Sequence, residues 1–108
     1  RPEYLVLPTI SQNAVNAFAT RFITSLQKAG KTTFTAEHFC AFVEAQYVRN
    51  ENRTPNSQIQ KWSEDDAKIM SSNRPNWKVK CSTALQGAQL AELIKYRKQK
   101  DHWYIFTD

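Results

Sequence analysis

The chain has only two glycines, Gly30 and Gly87, too few for a glycine-rich loop that cradles phosphates. Its two cysteines, Cys40 and Cys81, lack CxxC spacing, and its two histidines, His38 and His102, stand alone in sequence. These four residues do not have the spacing of a metal site, so neither a metal nor another cofactor is expected. No apolar stretch approaches the ~20 residues a bilayer span needs, which argues against a membrane partner. Signal-peptide pattern, internal repeat and low-complexity segment are all missing. The chain opens on Arg1 rather than Met, which suggests a piece of a longer intracellular protein. Nothing in the piece looks like an active site, so it is not expected to be an enzyme; the full-length protein is another matter. A cysteine–histidine nucleophile is disfavoured because both thiols fall within apolar helical patterns. Those thiols read as buried and free in a reducing compartment, with a disulfide between two helices as the alternative.

What is present is a balance typical of one folded domain. The 108 residues are 41% hydrophobic and 23% charged, enough for a single core. Net charge is +5 and the pI about 9.4, which favours a polyanionic partner such as nucleic acid. Residues 74–108 hold seven basic side chains against three acids, so +4 of the +5 is concentrated there.

Along the chain, residues 1–10 read as a linker or an N-terminal strand that packs Tyr4, Leu5 and Leu7. Residues 11–108 read as the folded domain. A first helix is expected over Gln12–Ala29, with Val15, Phe18, Phe22, Ile23 and Leu26 on one stripe and Gly30 as its left-handed cap. Thr32–Thr35 suggests a short strand, with Thr35 placed to cap a helix over Ala36–Tyr47. That second helix should bury Phe39, Cys40, Phe42, Val43 and Tyr47. Residues 49–58 read as a polar loop. Ile59, Trp62, Ile69 and Met70 suggest one short helix or two, with Ser63 and Asp66 in a capping pattern. Glu64, Asp65 and Asp66 are read as first-turn acids complementing the helix dipole rather than as metal ligands.

The most informative stretch is Arg74–Phe106. Over Trp77–Gln89, the residues Trp77, Cys81, Ala84, Leu85 and Ala88 form a core stripe at helical spacing. The opposite face carries Val79, Ser82, Thr83 and Gln86, with Lys78 and Gln89 on one margin and Lys80 on the other. Short polar side chains and a bare methyl suit base edges in a major groove, and flanking lysines suit phosphates. The alternative is an ordinary solvated face. A hairpin follows, Leu93–Tyr96 and His102–Phe106, turning through the basic tip Arg97–Asp101. Such a tip lies well on phosphates or in a minor groove; it also serves as a charged edge against sheet aggregation.

The residues Arg74-Pro75-x-Trp77, Lys80, Ala84-Leu85, Ala91-x-Leu93-Ile94 and Trp103-Tyr104-Ile105 resemble the winged-helix domain at the N-terminus of Mrr-type restriction proteins. The resemblance covers about residues 74–106. It departs at Thr83, Ala88 and Glu92, where the family often has an aromatic, a leucine and a glycine. It implies an α+β, mostly helical winged helix (winged helix-turn-helix) with a C-terminal two-stranded wing. It also implies a cytoplasmic bacterial protein whose nuclease domain lies elsewhere in the chain, and which this module targets to double-stranded DNA, in several such systems to modified DNA. The expected base-reading residues are Asn76, Val79, Ser82, Thr83 and Gln86. The expected phosphate contacts are Arg74, Lys78, Lys80, Lys95, Arg97, Lys98 and Lys100. A 5-methylcytosine reader is the sharper version and needs an apolar pocket, for which exposed Val79 or a nearby aromatic is a candidate. The competing expectations are a protein–protein winged helix docking through Tyr96, Tyr104 and Phe106, and a transcription regulator without a nuclease partner.

Overall fold

The computed structural model describes residues 3–48, 58–97 and 102–105. Its elements run β1 (Glu3–Val6), α1 (Gln12–Lys28), β2 (Thr33–Phe34), α2 (Ala36–Tyr47), β3 (Gln58–Lys61), α3 (Glu64–Ala67), α4 (Asn76–Leu90), β4 (Ile94–Arg97) and β5 (His102–Ile105). The chain is therefore mostly helical with a few short strands, compatible with an α+β fold.

Local chemistry sets the helix ends. Ser11 caps α1 by accepting from the Ala14 N–H at 3.1 Å, and Thr35 caps α2 by accepting from the His38 N–H at 3.2 Å. At the other end of α1, Gly30 takes a φ of +73°. This directs its N–H to the Gln27 carbonyl and the Lys31 N–H to the Leu26 carbonyl, satisfying two carbonyls that the helix leaves open. Helix α4 closes with the same pair of bonds, Glu92 to Gln89 and Leu93 to Ala88, but the left-handed position is Glu92 at φ +61°.

One core joins α1, α2, α4 and a small sheet. Val15, Ala19, Phe22 and Ile23 of α1 meet Phe39, Cys40 and Val43 of α2 and the inward stripe of α4. Phe22 is its aromatic centre, with the rings of Phe34, Phe39 and Phe42 at 5.2, 5.5 and 5.1 Å. The sheet is antiparallel in the order β2-β5-β4, and Phe34, Ile94, Trp103 and Ile105 seal its inner side. Phe18, Leu26, Phe42 and Tyr47, expected on the core stripes, are only partly buried. They lie at the edges of those stripes, where neighbouring helices leave them partly open.

The middle of the chain differs most from the expectation. Residues 49–57 of the expected loop lie outside the described residues, but its last residue, Gln58, already begins a strand. Ile59 lies in that strand rather than in a helix. Strand β3 pairs in parallel with β1, Glu3 opposite Gln58 through Val6 opposite Lys61, and the Leu7 N–H extends the ladder to the Lys61 carbonyl. The N-terminal segment is thus a strand rather than a linker. Among the described residues of this region only the single turn α3 is helical, and Ile69 sits in an isolated bridge to Pro75. Helices α2 and α4 are consequently separated by residues 48–75, far more than the three or four residues of a helix-turn-helix connection.

Candidate nucleic-acid interface

Helix α4 is placed by a tight reversal before it. The Met70 N–H bonds to the Arg74 carbonyl, the Asn73 N–H to the Met70 carbonyl, and the Asn76 N–H to the Lys68 carbonyl. Asn73 supports the turn at φ +64°, a conformation that asparagine tolerates better than most residues. Pro75 then occupies the N-cap, and the helix turns Trp77, Cys81, Ala84, Leu85 and Ala88 inward, all buried. Trp77 stacks on Trp62 at 4.6 Å and Trp62 on Tyr47 at 5.5 Å, while the Tyr47 hydroxyl donates to the Pro8 carbonyl.

The outward face follows from the inward one. Thr83 and Gln86 are exposed, and Val79 and Ser82 are half-buried. The Thr83 hydroxyl donates back to the Val79 carbonyl at 3.1 Å, a bond within the helix. Leu90 continues the line 79, 83, 86, 90 and is 86% exposed. The sequence reading missed Leu90 because it ended the helix at Gln89; one more helical step along the outer face would have found it.

The basic residues around α4 are largely occupied. Lys80 is the clearest correction. Its ammonium is 3.0 Å from Oδ1 of Asp66, a carboxylate with no solvent exposure, and it donates to the Ile10 carbonyl at 2.7 Å. The second Asp66 oxygen accepts the Ile10 N–H at 2.8 Å. Lysine and aspartate together thus satisfy both backbone groups of Ile10 and tie residues 9–12 to α3 and α4. Thr9 bonds Ser63 at 2.8 Å, and the Gln12 amide donates to the Lys80 carbonyl at 3.0 Å. With its ammonium bonded to both the Asp66 carboxylate and the Ile10 carbonyl, Lys80 is held inside the fold rather than presented to a phosphate. Asp66 likewise does more than complement a helix dipole.

The remaining candidates divide. Arg74 donates to the Ser82 hydroxyl at 3.2 Å, so a predicted phosphate contact and a predicted reading residue hold each other. Lys78 lies 3.8 Å from Glu37 and over the Trp77 ring at 5.5 Å. The Asn76 side chain donates to the Asp65 carbonyl at 3.2 Å and so braces the turn. Lys95 is exposed on β4 and has no ion pair among the described residues. Arg97 ends β4, and Lys98 and Lys100 lie outside the described residues. Among the described residues, no cluster of three or more His, Cys, Asp or Glu side chains could hold a metal ion, and no helix is long and apolar enough to cross a membrane.

Cys40 and Cys81 are free and buried, on facing sides of α2 and α4. A thiol–thiol hydrogen bond from Cys81 holds the Cys40 thiol below its ordinary range, against burial and the nearby Glu37. The same bond, together with burial, pushes Cys81 up. No known protein family, curated protein or solved structure matches the chain.

Proposed function

We propose that this chain is a double-stranded-DNA-binding domain of the winged-helix type, with α4 as reading helix and the β4–β5 hairpin as wing. The order α1, β2, α2, α4, β4, β5, with β2 closing onto the second strand of the hairpin, supports that layout. Residues 48–75, which carry β3 and α3, are then an insertion between the second and third helices. The observation that carries the reading is the outward face of α4, where Val79, Thr83, Gln86 and Leu90 present methyls, a hydroxyl and an amide without a charge. This face precedes a hairpin that exposes Lys95 and connects through Lys98 and Lys100. Gln can bond adenine in two places, Thr can donate or accept, and aliphatic groups can pack on a base methyl.

The partition of contacts is narrower than net charge suggests. Reading falls to Val79, Thr83, Gln86 and Leu90. Backbone binding falls to Lys95, Arg97, Lys98 and Lys100, while Arg74 and Lys78 would first have to give up their present partners. The resemblance to Mrr-type restriction proteins makes a restriction endonuclease's target-recognition module our preferred setting, with a nuclease domain elsewhere in the full-length protein. Recognition of 5-methylcytosine is its sharper form, with Val79 and Leu90 as the apolar contacts for the methyl group.

Fluorescence anisotropy of the domain against methylated and unmethylated duplex pools, at two salt concentrations, tests this. Binding should weaken steeply with salt, with a slope of about 0.9 per neutralised phosphate. Absence of binding at low salt would overturn the proposal; equal affinity for the two pools would remove the methyl reader alone. Weak, sequence-blind binding would favour a protein-docking winged helix, a reading for which the exposure of Leu90 is the specific support.

A further inference from the structure

The outward line of α4 offers fewer hydrogen bonds than its polar residues suggest. Val79 and Leu90 are aliphatic, and the Thr83 hydroxyl gives its proton to the Val79 carbonyl at 3.1 Å. Thr83 therefore shows the outside a methyl group and oxygen lone pairs, with no donor left. Beside the line, the Ser82 hydroxyl is held by Arg74 at 3.2 Å. Gln86 differs from all of these. It is exposed, and its amide has no hydrogen-bond partner among the described residues. It is the one side chain on the line that can donate and accept at once. Leu90, one turn further on, is 86% exposed.

What the helix lacks narrows the choice of base. Asn76–Leu90 contains no arginine, aspartate or glutamate. Guanine shows two acceptors in the major groove and is read by Arg or Lys; cytosine shows an amino donor and is read by Asp or Glu. The two lysines of α4 already have partners, Lys80 inside the fold and Lys78 at Glu37. Adenine shows one acceptor and one donor, the pair that a glutamine amide matches in two places. An exposed leucine fits a base methyl group in the same groove.

We infer that α4 selects an adenine through Gln86 and the C5 methyl group of a pyrimidine through Leu90. The inference rests on the DNA-binding reading above and adds the chemistry of the bases that are chosen. Thymine and 5-methylcytosine carry that methyl group alike, so either can supply it. The two residues are four apart, about 6 Å along the helix axis. With base pairs about 3.4 Å apart, their targets lie within about two steps of each other. Selection thus falls to the last two turns of α4. The first turn is occupied otherwise, since the Asn76 side chain is bonded to the Asp65 carbonyl and Val79 is half-buried.

The test starts from duplexes enriched out of randomised pools by the native chain at low salt, one pool built with 5-methylcytosine and one with cytosine. Enriched duplexes should share an adenine and, within about two base pairs, a thymine or a 5-methylcytosine. Affinities for single-base analogues then follow from fluorescence anisotropy. 7-Deazaadenine at the shared adenine lacks the N7 acceptor and should weaken binding about two- to tenfold, the worth of one hydrogen bond. Uracil in place of thymine loses the methyl group alone and should weaken binding about fourfold. Cytosine in place of 5-methylcytosine should cost the same, and the tighter of the two methylated bases identifies the source of the methyl.

Gln86→Ala should abolish the deazaadenine loss and keep the methyl loss, and Leu90→Ala should do the reverse. Both side chains are exposed, so neither variant should lower the melting temperature. An analogue loss that persists in its matching variant would overturn the inference, as would enriched duplexes that share guanine and cytosine or no base at all. Those outcomes leave DNA binding itself standing. Failure to bind any duplex at low salt would instead overturn the DNA-binding reading, and this inference with it.

Discussion

Lys80 holds its ammonium 3.0 Å from a fully buried carboxylate, whereas Lys95 stands open to water on the first strand of the hairpin. In sequence the two look alike: each is a basic residue beside an apolar pattern in the most positive third of the chain. In the fold they have different tasks. Lys80 neutralises Asp66 and fastens the segment before α1, while Lys95 keeps its charge available. A lysine's neighbours in space, and not the local charge density, decide whether it can meet a phosphate. The same comparison grades the others, since Lys78 is paired loosely at 3.8 Å with an exposed Glu37 and could exchange that partner at little cost.

The largest expected effect comes from breaking the internal side of this comparison. Lys80→Ala leaves Asp66 charged, buried and bound only to the Ile10 N–H and should cost about 3–5 kcal/mol of stability, read as a lower urea midpoint. Asp66→Ala should cost a similar amount, because it leaves the lysine without its counter-charge and the Ile10 amide without its acceptor. Lys78→Ala should change stability by less than about 1 kcal/mol. An equally small loss for Lys80→Ala would mean that the buried pair contributes nothing to the fold.

Next in size is the separation of reading from holding. Gln86→Ala should cost about 1–3 kcal/mol at one base pair and leave other sequences bound as before. Its side chain is exposed on α4, so the melting temperature should stay unchanged. A uniform loss across all sequences would place Gln86 on the backbone instead. Smaller again, Lys95→Gln should weaken every duplex alike and lower the salt slope by about 0.9. Lys80→Gln, compared per folded molecule, should leave that slope where it was.

How much of this could be seen in the sequence follows the range of the interactions involved. Helices α1, α2 and α4 were legible because caps and apolar period are local: Thr35 and Gly30 mark ends that the structure keeps. The hairpin was legible from its alternation and its intervening basic run. Strand β3 was not, because Gln58-Ile59-Gln60-Lys61 has a single apolar residue and its partner β1 lies 55 positions earlier. Asp66 was read as a first-turn acid, correctly for its position after Ser63, but its burial depends on Ile10 and Lys80, neither of which is near it in sequence. For the interface, the polar face of α4 came from the helical wheel alone. The loss of Lys80 from it, and the engagement of Arg74 and Asn76, needed the tertiary contacts.

The smallest effect concerns the joint between α4 and the hairpin, where Glu92 occupies the left-handed position that Gly30 fills after α1. A side chain there crowds its own carbonyl, at about 1–2 kcal/mol for an ordinary L-residue. Glycine removes that strain but gives the unfolded chain more freedom, which returns about 0.4–1 kcal/mol. Glu92→Gly should therefore stabilise the fold by about 0.5–1 kcal/mol, a rise of roughly 4 °C in melting temperature. Gly30→Ala should lower stability by about 1 kcal/mol, since alanine meets the same crowding where none exists now. The hydrogen bonds from Glu92 and Leu93 back to Gln89 and Ala88 already fix how the hairpin leaves the helix. If Lys95 acts from that fixed hairpin, Glu92→Gly should raise the melting temperature and leave the salt slope of DNA binding unchanged. A changed slope would instead mean that the strained residue sets where the hairpin's charges fall.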